Sequence, residues 1–219
     1  MKMSMNSNSL KYKKFYFASS NRSKKARLRR IFRWISEEID EKIRLEAAPE
    51  LIEVDENETT LEGNSLKKAL AYKGKYDIPV ISLDTGIFIE KEKIDPVKVK
   101  RNALHGQPET KFTKKKISQK VRAYYQDMAR KHGGELDFYF KDVYTILYPD
   151  GNYRQASAIR RYTLTTIAKG PLTEFPLKSL YFSKATGKRP FEQTEEDEKL
   201  ELKPVRNAIM RLISKRAKM

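Results

Sequence analysis

The chain has 219 residues and a 39% apolar share, enough to bury one substantial core, and its patterned segments argue against disorder although 34% of its residues are charged. With no cysteine and two isolated histidines, disulfides, thiol nucleophiles and structural zinc of the usual kind are excluded, and any metal should be held by oxygen. The formal charge of +17 predicts polyanionic partners, whether nucleic acid, anionic lipid or phosphorylated small molecules.

Residues Met1 to about Lys14 are polar and methionine-rich, without a helical or strand period, and are expected to form a flexible tail or a short extension of the first strand. There is no hydrophobic signal core and no stretch approaching the ~20 apolar residues of a membrane span, so no membrane is expected and the expected compartment is the cytoplasm. The remainder, 15–219, reads as a single α/β domain, with room for two lobes around a central cleft. Phe15-Tyr16-Phe17-Ala18 reads as a strand that runs into the polar turn Ser19-Ser20-Asn21-Arg22-Ser23-Lys24. From Ser23 to about Ile43, Leu28, Ile31, Phe32 and Ile35 follow the period of an amphipathic helix.

Leu51 to Val54 reads as a short strand. Thr59 with Glu62 offers a capping box for a helix through about Lys75, whose apolar side is Leu66, Ala69 and Leu70. Two strands follow, Ile78–Ser82 and Ile87–Ile89, separated by a turn at Leu83-Asp84-Thr85-Gly86. The basic stretch Lys91 to Lys120, broken by Gly106 and Pro108, is suited to phosphate or RNA, and a helix from Ile117 ends at His132-Gly133-Gly134. Leu136–Phe140, Val143–Tyr148 and Tyr153–Thr163 read as strands, the last two joined by Pro149-Asp150-Gly151. The acidic run Glu195 to Glu201 reads as a solvated surface, and Val205, Ile209, Leu212 and Ile213 mark a last amphipathic helix. The alternation of strand and helix indicates a mixed twisted sheet flanked by helices, with an antiparallel hairpin extension.

Strand ends and helix starts are where such a sheet builds its sites, and several complementary groups fall there. Ser19 to Lys24 supplies hydroxyls, an amide and a cation to a helix start, whose unpaired N–H groups and partial positive charge favour phosphate. Glu56 precedes a helix, Lys68 lies on it, and Asp84 follows a strand. Two carboxylates and two lysines suit a magnesium-bound polyphosphate, since magnesium takes a few carboxylates, water and phosphate oxygens. Each residue also has an ordinary reading: Asn21 as a helix cap, Lys24, Lys68 and Arg206 as solvated charges, Glu56 as a loop carboxylate and Asp84 as a turn former.

In order and spacing these segments resemble the inosine triphosphate pyrophosphatase family, which hydrolyses non-standard purine nucleoside triphosphates such as ITP, XTP and dITP. Ser19-Ser20-Asn21-Arg22-Ser23-Lys24 matches its T/S-x-N-x-x-K motif. Glu56 followed by Asn64-Ser65-Leu66-Lys67-Lys68-Ala69 resembles its glutamate and N-A-x-x-K-A helix, and Leu83-Asp84-Thr85-Gly86-Ile87 its D-D-S-G-L segment. The likeness runs from about Lys14 to Leu212. It implies a fold of that family and magnesium-dependent release of pyrophosphate, with a homodimer as the assembly. By the same resemblance Ser19, Ser20, Asn21, Lys24 and Lys68 would hold phosphate, and Glu56 and Asp84 magnesium. Asp84 would also be the general base, and Thr85, Lys199 and Arg206 would contact substrate, Lys199 with a one-residue insertion.

The chain departs from that family in a pattern. Leu83 stands where a first acid is expected, Arg27 where a glutamate follows the first lysine, Leu177-Lys178-Ser179 in place of an aromatic G-Y-D, and Pro204-Val205 in place of S-H. The phosphate end is therefore better kept than the base end, so the reaction is more firmly implied than the nucleobase. The second reading is a catalytically weakened relative that binds a nucleotide or nucleic acid, which the charge and Leu83 favour.

Overall fold

The computed structural model describes residues 10–89, 91–92, 96–173 and 175–214. Six strands form one mixed sheet in the order β2-β1-β3-β4-β5-β6, with β1 at Lys14–Phe17, β2 at Arg44–Ala47, β3 at Val80–Ile89, β4 at Glu135–Leu147, β5 at Tyr153–Thr165 and β6 at Tyr181–Ser183. β1 is parallel to β2 and β3, whereas β5 and β6 are antiparallel. The chain divides into two compact units, Met1–Thr85 with Asp142–Ala158 and Pro204–Met219, and Gly86–Lys141 with Ile159–Lys203. The unit boundaries therefore fall inside β3, β4 and β5.

In the first unit, helix α1 (Arg22–Ile39) buries Leu28, Ile31, Phe32 and Ile35, the stripe its spacing predicts. Phe32 meets Phe15 of β1 edge-on, with ring centroids 5.5 Å apart. Helix α2 (Leu61–Leu70) is fixed by polar contacts as well as by burial of Ala69. Ser65, fully buried, lies 2.8 Å from the Thr145 hydroxyl of β4, and the Ser82 hydroxyl of β3 donates to its carbonyl at 2.6 Å. Helix α6 (Lys203–Ile213) buries Val205, Ile209, Leu212 and Ile213, and Tyr148 donates its hydroxyl to the Leu212 carbonyl.

The second unit holds α3 (Pro96–Ala103), α4 (Lys114–Lys131) and α5 (Glu195–Glu201). Its core is aromatic: Phe138, Phe140, Tyr162 and Tyr181 pack with their rings mostly edge to face, and Tyr125 and Met128 of α4 join them. The buried Tyr162 hydroxyl donates to Glu201, which ties α5 to β5. Among the described residues no helix is long and apolar enough to cross a membrane.

Several expected boundaries are corrected. Leu51–Val54 is not a strand; its backbone meets a side chain instead, with Ile52 N–H donating to the Tyr72 hydroxyl at 3.0 Å. The strand of that region is Arg44–Ala47, a short edge segment in which only Leu45 is fully buried. α1 stops at Ile39 because Asp40 turns left-handed, at φ 51°, and its N–H caps the Ser36 carbonyl. α2 is capped by Thr60, which accepts from Gly63 N–H, and it ends at Leu70; Ser65 and Ala69 form its buried side, while Leu66 is half-buried and Leu70 exposed. The turn expected at Leu83–Gly86 is absent, since β3 runs unbroken from Val80 to Ile89. Leu136–Phe140 and Val143–Tyr148 likewise merge into β4, the acidic run forms α5, and α4 starts at Lys114, before Ile117. His132 caps α4 as expected and its Nε2 lies 3.0 Å from Glu92. Of the expected tail, residues 1–9 lie outside the described residues, Leu10 is buried and Lys14 belongs to β1.

Ser65→Ala removes the hydroxyl that joins α2 to two strands and leaves buried partners short of a contact. Urea denaturation is expected to show a loss of about 1–3 kcal/mol in unfolding free energy.

Candidate functional site

The turn between β1 and α1 leads directly into the N-terminus of α1, where the first N–H groups have no partner within the helix. Asn21 is the N-cap, and its Oδ1 accepts from Lys24 N–H at 2.9 Å. Ser19 Oγ accepts from Asn21 N–H at 3.2 Å, which folds the turn back on itself. No acidic residue occupies the first turn of α1, so nothing within the helix offsets its positive end. Ser19, Ser20, Asn21 and Lys24 line a cavity of about 670 Å³ whose other walls are the segment 51–56, Lys68, Tyr72 and Leu83.

Across the cavity, Lys68 holds both carboxylates that the sequence singles out. Its Nζ lies 2.7 Å from Glu56 Oε2 and 2.9 Å from Asp84 Oδ1. The two acids differ in freedom, since the Glu56 side chain is 54% exposed and that of Asp84 is 10% exposed. Asp84 is set by β3, whereas Glu56 can swing. Two oxygen donors already sharing one cation fit magnesium, which completes its shell with phosphate oxygens and water. Among the described residues no group of three or more acids or histidines is placed to hold a metal.

Behind Asp84, the next residue in β3 points into a second network. The Thr85 hydroxyl donates to Asp142 Oδ1 at 2.8 Å, and Arg27 Nη2 donates to the same oxygen at 3.3 Å. Asp142, on β4, is fully buried. The Thr85 proton is thus committed to Asp142, and its oxygen can serve any further partner only as an acceptor. Sequence reasoning did not select Asp142; the signal was there, the one acid in the segment Phe138 to Leu147, which is mostly aromatic and aliphatic.

Burial, and then the neighbouring Lys68, hold the Lys24 ammonium below its ordinary 10.5; Arg27 acts in the same direction and Asp84 and Asp142 oppose it. Arg206 does not line the cavity. On α6, it donates to Asn207 Oδ1 at 2.8 Å and pairs with Glu38. Lys199, on α5 of the other unit, pairs with Glu195 at 3.5 Å.

The model of the Ham1 family matches residues 15–215 of the chain. Among solved structures, the Ham1 protein of Staphylococcus aureus is 20% identical with a TM-score of 0.56, over 90% of this chain and 94% of that one. A Ham1 protein from Coxiella burnetii is 15% identical with a TM-score of 0.63, over 90% and 98% of the two chains. A nucleoside-triphosphatase, or dITP/XTP pyrophosphatase, from Mycobacterium abscessus is 17% identical with a TM-score of 0.56, again over 90% and 98%. These likenesses show the α/β fold. No curated protein matches the chain.

A lysine whose pKa is lowered by folding costs stability while it is charged, and that cost disappears as the pH rises through its folded-state pKa. Lys24→Met is therefore expected to raise the melting temperature near neutral pH, with the difference shrinking as the pH approaches 10.5. Thermal melts across that range check this, and titration with pyrophosphate is expected to show the phosphate affinity lost.

Proposed function

The chain belongs to the Ham1 family, and on that premise we propose that it hydrolyses nucleoside triphosphates to the monophosphate and pyrophosphate. The observation that carries this reading is one cavity lined by the α1 N-terminus, Lys24, Glu56 and Lys68, with Asp84 held against it by Lys68. The M. abscessus relative is a dITP/XTP pyrophosphatase, and altered purines such as ITP, XTP and dITP are the substrates proposed here.

In this reading the polyphosphate lies along the β1–α1 turn, where Ser19, Ser20, Asn21 and the first-turn N–H groups hold its oxygens. Lys24 and Lys68 offset the negative charge that grows on the phosphates as the bond breaks. Asp84 uses Oδ1 for Lys68; its Oδ2 has no partner among the described residues and is free to take a proton from water. That water attacks the α-phosphorus, the bond to the bridging oxygen breaks, and pyrophosphate leaves. Glu56 and Asp84 are the residues that would hold magnesium, whose charge neutralises phosphate oxygens. Thr85, an acceptor once its proton is given to Asp142, helps orient that water. Lys199 and Arg206 join the substrate contacts on the strength of resemblance, exchanging Glu195 and Glu38 for the nucleotide. A homodimer is proposed on the same ground.

The second reading, a relative that binds nucleotide or nucleic acid without turnover, is favoured by Leu83, which presents a buried apolar side chain where an acid is expected. Pyrophosphate release from a panel of standard and altered triphosphates with magnesium separates the two. Turnover is expected to be highest with an altered purine and to vanish with a chelator. Asp84→Asn is expected to lower kcat by roughly 10²–10⁴-fold, with KM much less affected. Salt-sensitive RNA binding with no turnover of any triphosphate would favour the second reading. Light scattering on the purified protein checks the dimer.

A further inference from the structure

We infer that Arg27, anchored by the buried Asp142, is a third phosphate-binding cation of this site. Arg27 lies three residues after Lys24 on α1, so the two share a helix face. Long side chains on a helix lean toward its N-terminus, the end of α1 at which Asn21 and Lys24 line the cavity. Asp142 fixes it there, and through the same oxygen it fixes Thr85, the neighbour of Asp84.

The guanidinium is only partly used. It gives Asp142 one N–H from Nη2, at 3.3 Å, and its other donors have no partner among the described residues. Its side chain is 17% exposed, and none of these donors is sealed off, so a ligand can reach them. A planar fork held at one end by a carboxylate and left open at the other is the geometry that takes a phosphate oxygen pair.

Charge supports the same assignment. Burial first, then Lys68 and, after it, Arg27 make Lys24 a weaker base, so all three cations act on one another. A bound polyphosphate removes the repulsion, which a solely structural Arg27–Asp142 pair does not require. Arg27 stands where the resemblance expects an acid, so this cation is a property of the chain itself.

The inference rests on the phosphate site proposed above, and its test does not depend on turnover. Inorganic pyrophosphate is titrated by calorimetry into the full chain with a chelator present, so that only the protein's own cations can bind it. Loss of one charge-assisted contact predicts an affinity about 10-fold or more weaker in Arg27→Gln. Arg27→Lys keeps the charge but not the fork and is expected to lose roughly 3-fold or more. Arg29→Gln removes an exposed cation from the same helix and is expected to leave the affinity unchanged. Unchanged binding in Arg27→Gln, equal losses in Arg27→Gln and Arg29→Gln, or no pyrophosphate binding by the unaltered chain overturns the assignment. Melting curves separate a folding defect from a binding one; if Arg27→Gln does not fold, wild-type affinity in Arg27→Lys overturns it. Absent turnover with intact, Arg27-dependent pyrophosphate binding ends the hydrolase reading and leaves this assignment standing.

Discussion

One ammonium group organises this site. Lys68 stands between Glu56 and Asp84, and because both it and Asp84 are largely buried, at 15% and 10% side-chain exposure, that contact is little diluted by water, while the one with Glu56 is screened. An isolated buried lysine costs folding energy, so its position must be enforced by the helix that carries it. α2 is enforced by Ala69 against the core and by the hydroxyls of Ser65, Ser82 and Thr145. The same hydroxyls join β3 to β4, the strands that carry Asp84 and Asp142. The polar core is therefore the mounting on which the candidate acid, its lysine and the second carboxylate network all sit.

The distribution of charge around that mounting is particular to this chain. An acid is expected where Leu83 lines the cavity, and another where Arg27 reaches Asp142. Both changes move the phosphate end toward positive charge. Asp142 returns one negative charge, from a different strand and at full burial, where it serves Arg27 and Thr85. On the proposed reading, a site altered in this way would depend more on protein cations and less on carboxylates to hold a polyanion. Glu56, the more exposed acid, remains the one able to turn toward an incoming cation.

Much of the architecture was legible in the residues. α1, α6 and the burial in α4 follow from apolar spacing, and the β4–β5 hairpin follows from Pro149-Asp150-Gly151, where Gly151 takes φ 83°. The misreadings share a cause. Asp84-Thr85-Gly86 carries turn-forming residue types, yet neighbouring strands hold it extended, because pairing across a sheet overrides local preference. Leu51–Val54 has strand-like residues but no strand beside it to pair with, and it becomes a cavity wall. Arg44–Ala47 is too short and too charged to announce itself, and exists because β1 lies next to it.

The candidate site divides along the same line. Ser19 to Lys24 could be read directly as a strand end, a capping residue and a helix start, because all three are local in sequence, and the proposed anion site rests on them. Glu56, Lys68 and Asp84 could be named from their order, but nothing in that order says that one ammonium touches both acids. Asp142 could be noticed as an acid between Phe140 and Val143 and no more, since its partners, Thr85 and Arg27, lie 57 and 115 residues away along the chain. Sequence by itself determined the elements whose causes act within a few residues. Tertiary structure alone decided which charges meet, because a hydrogen bond is set by distance in space, and the folded sheet sets that distance.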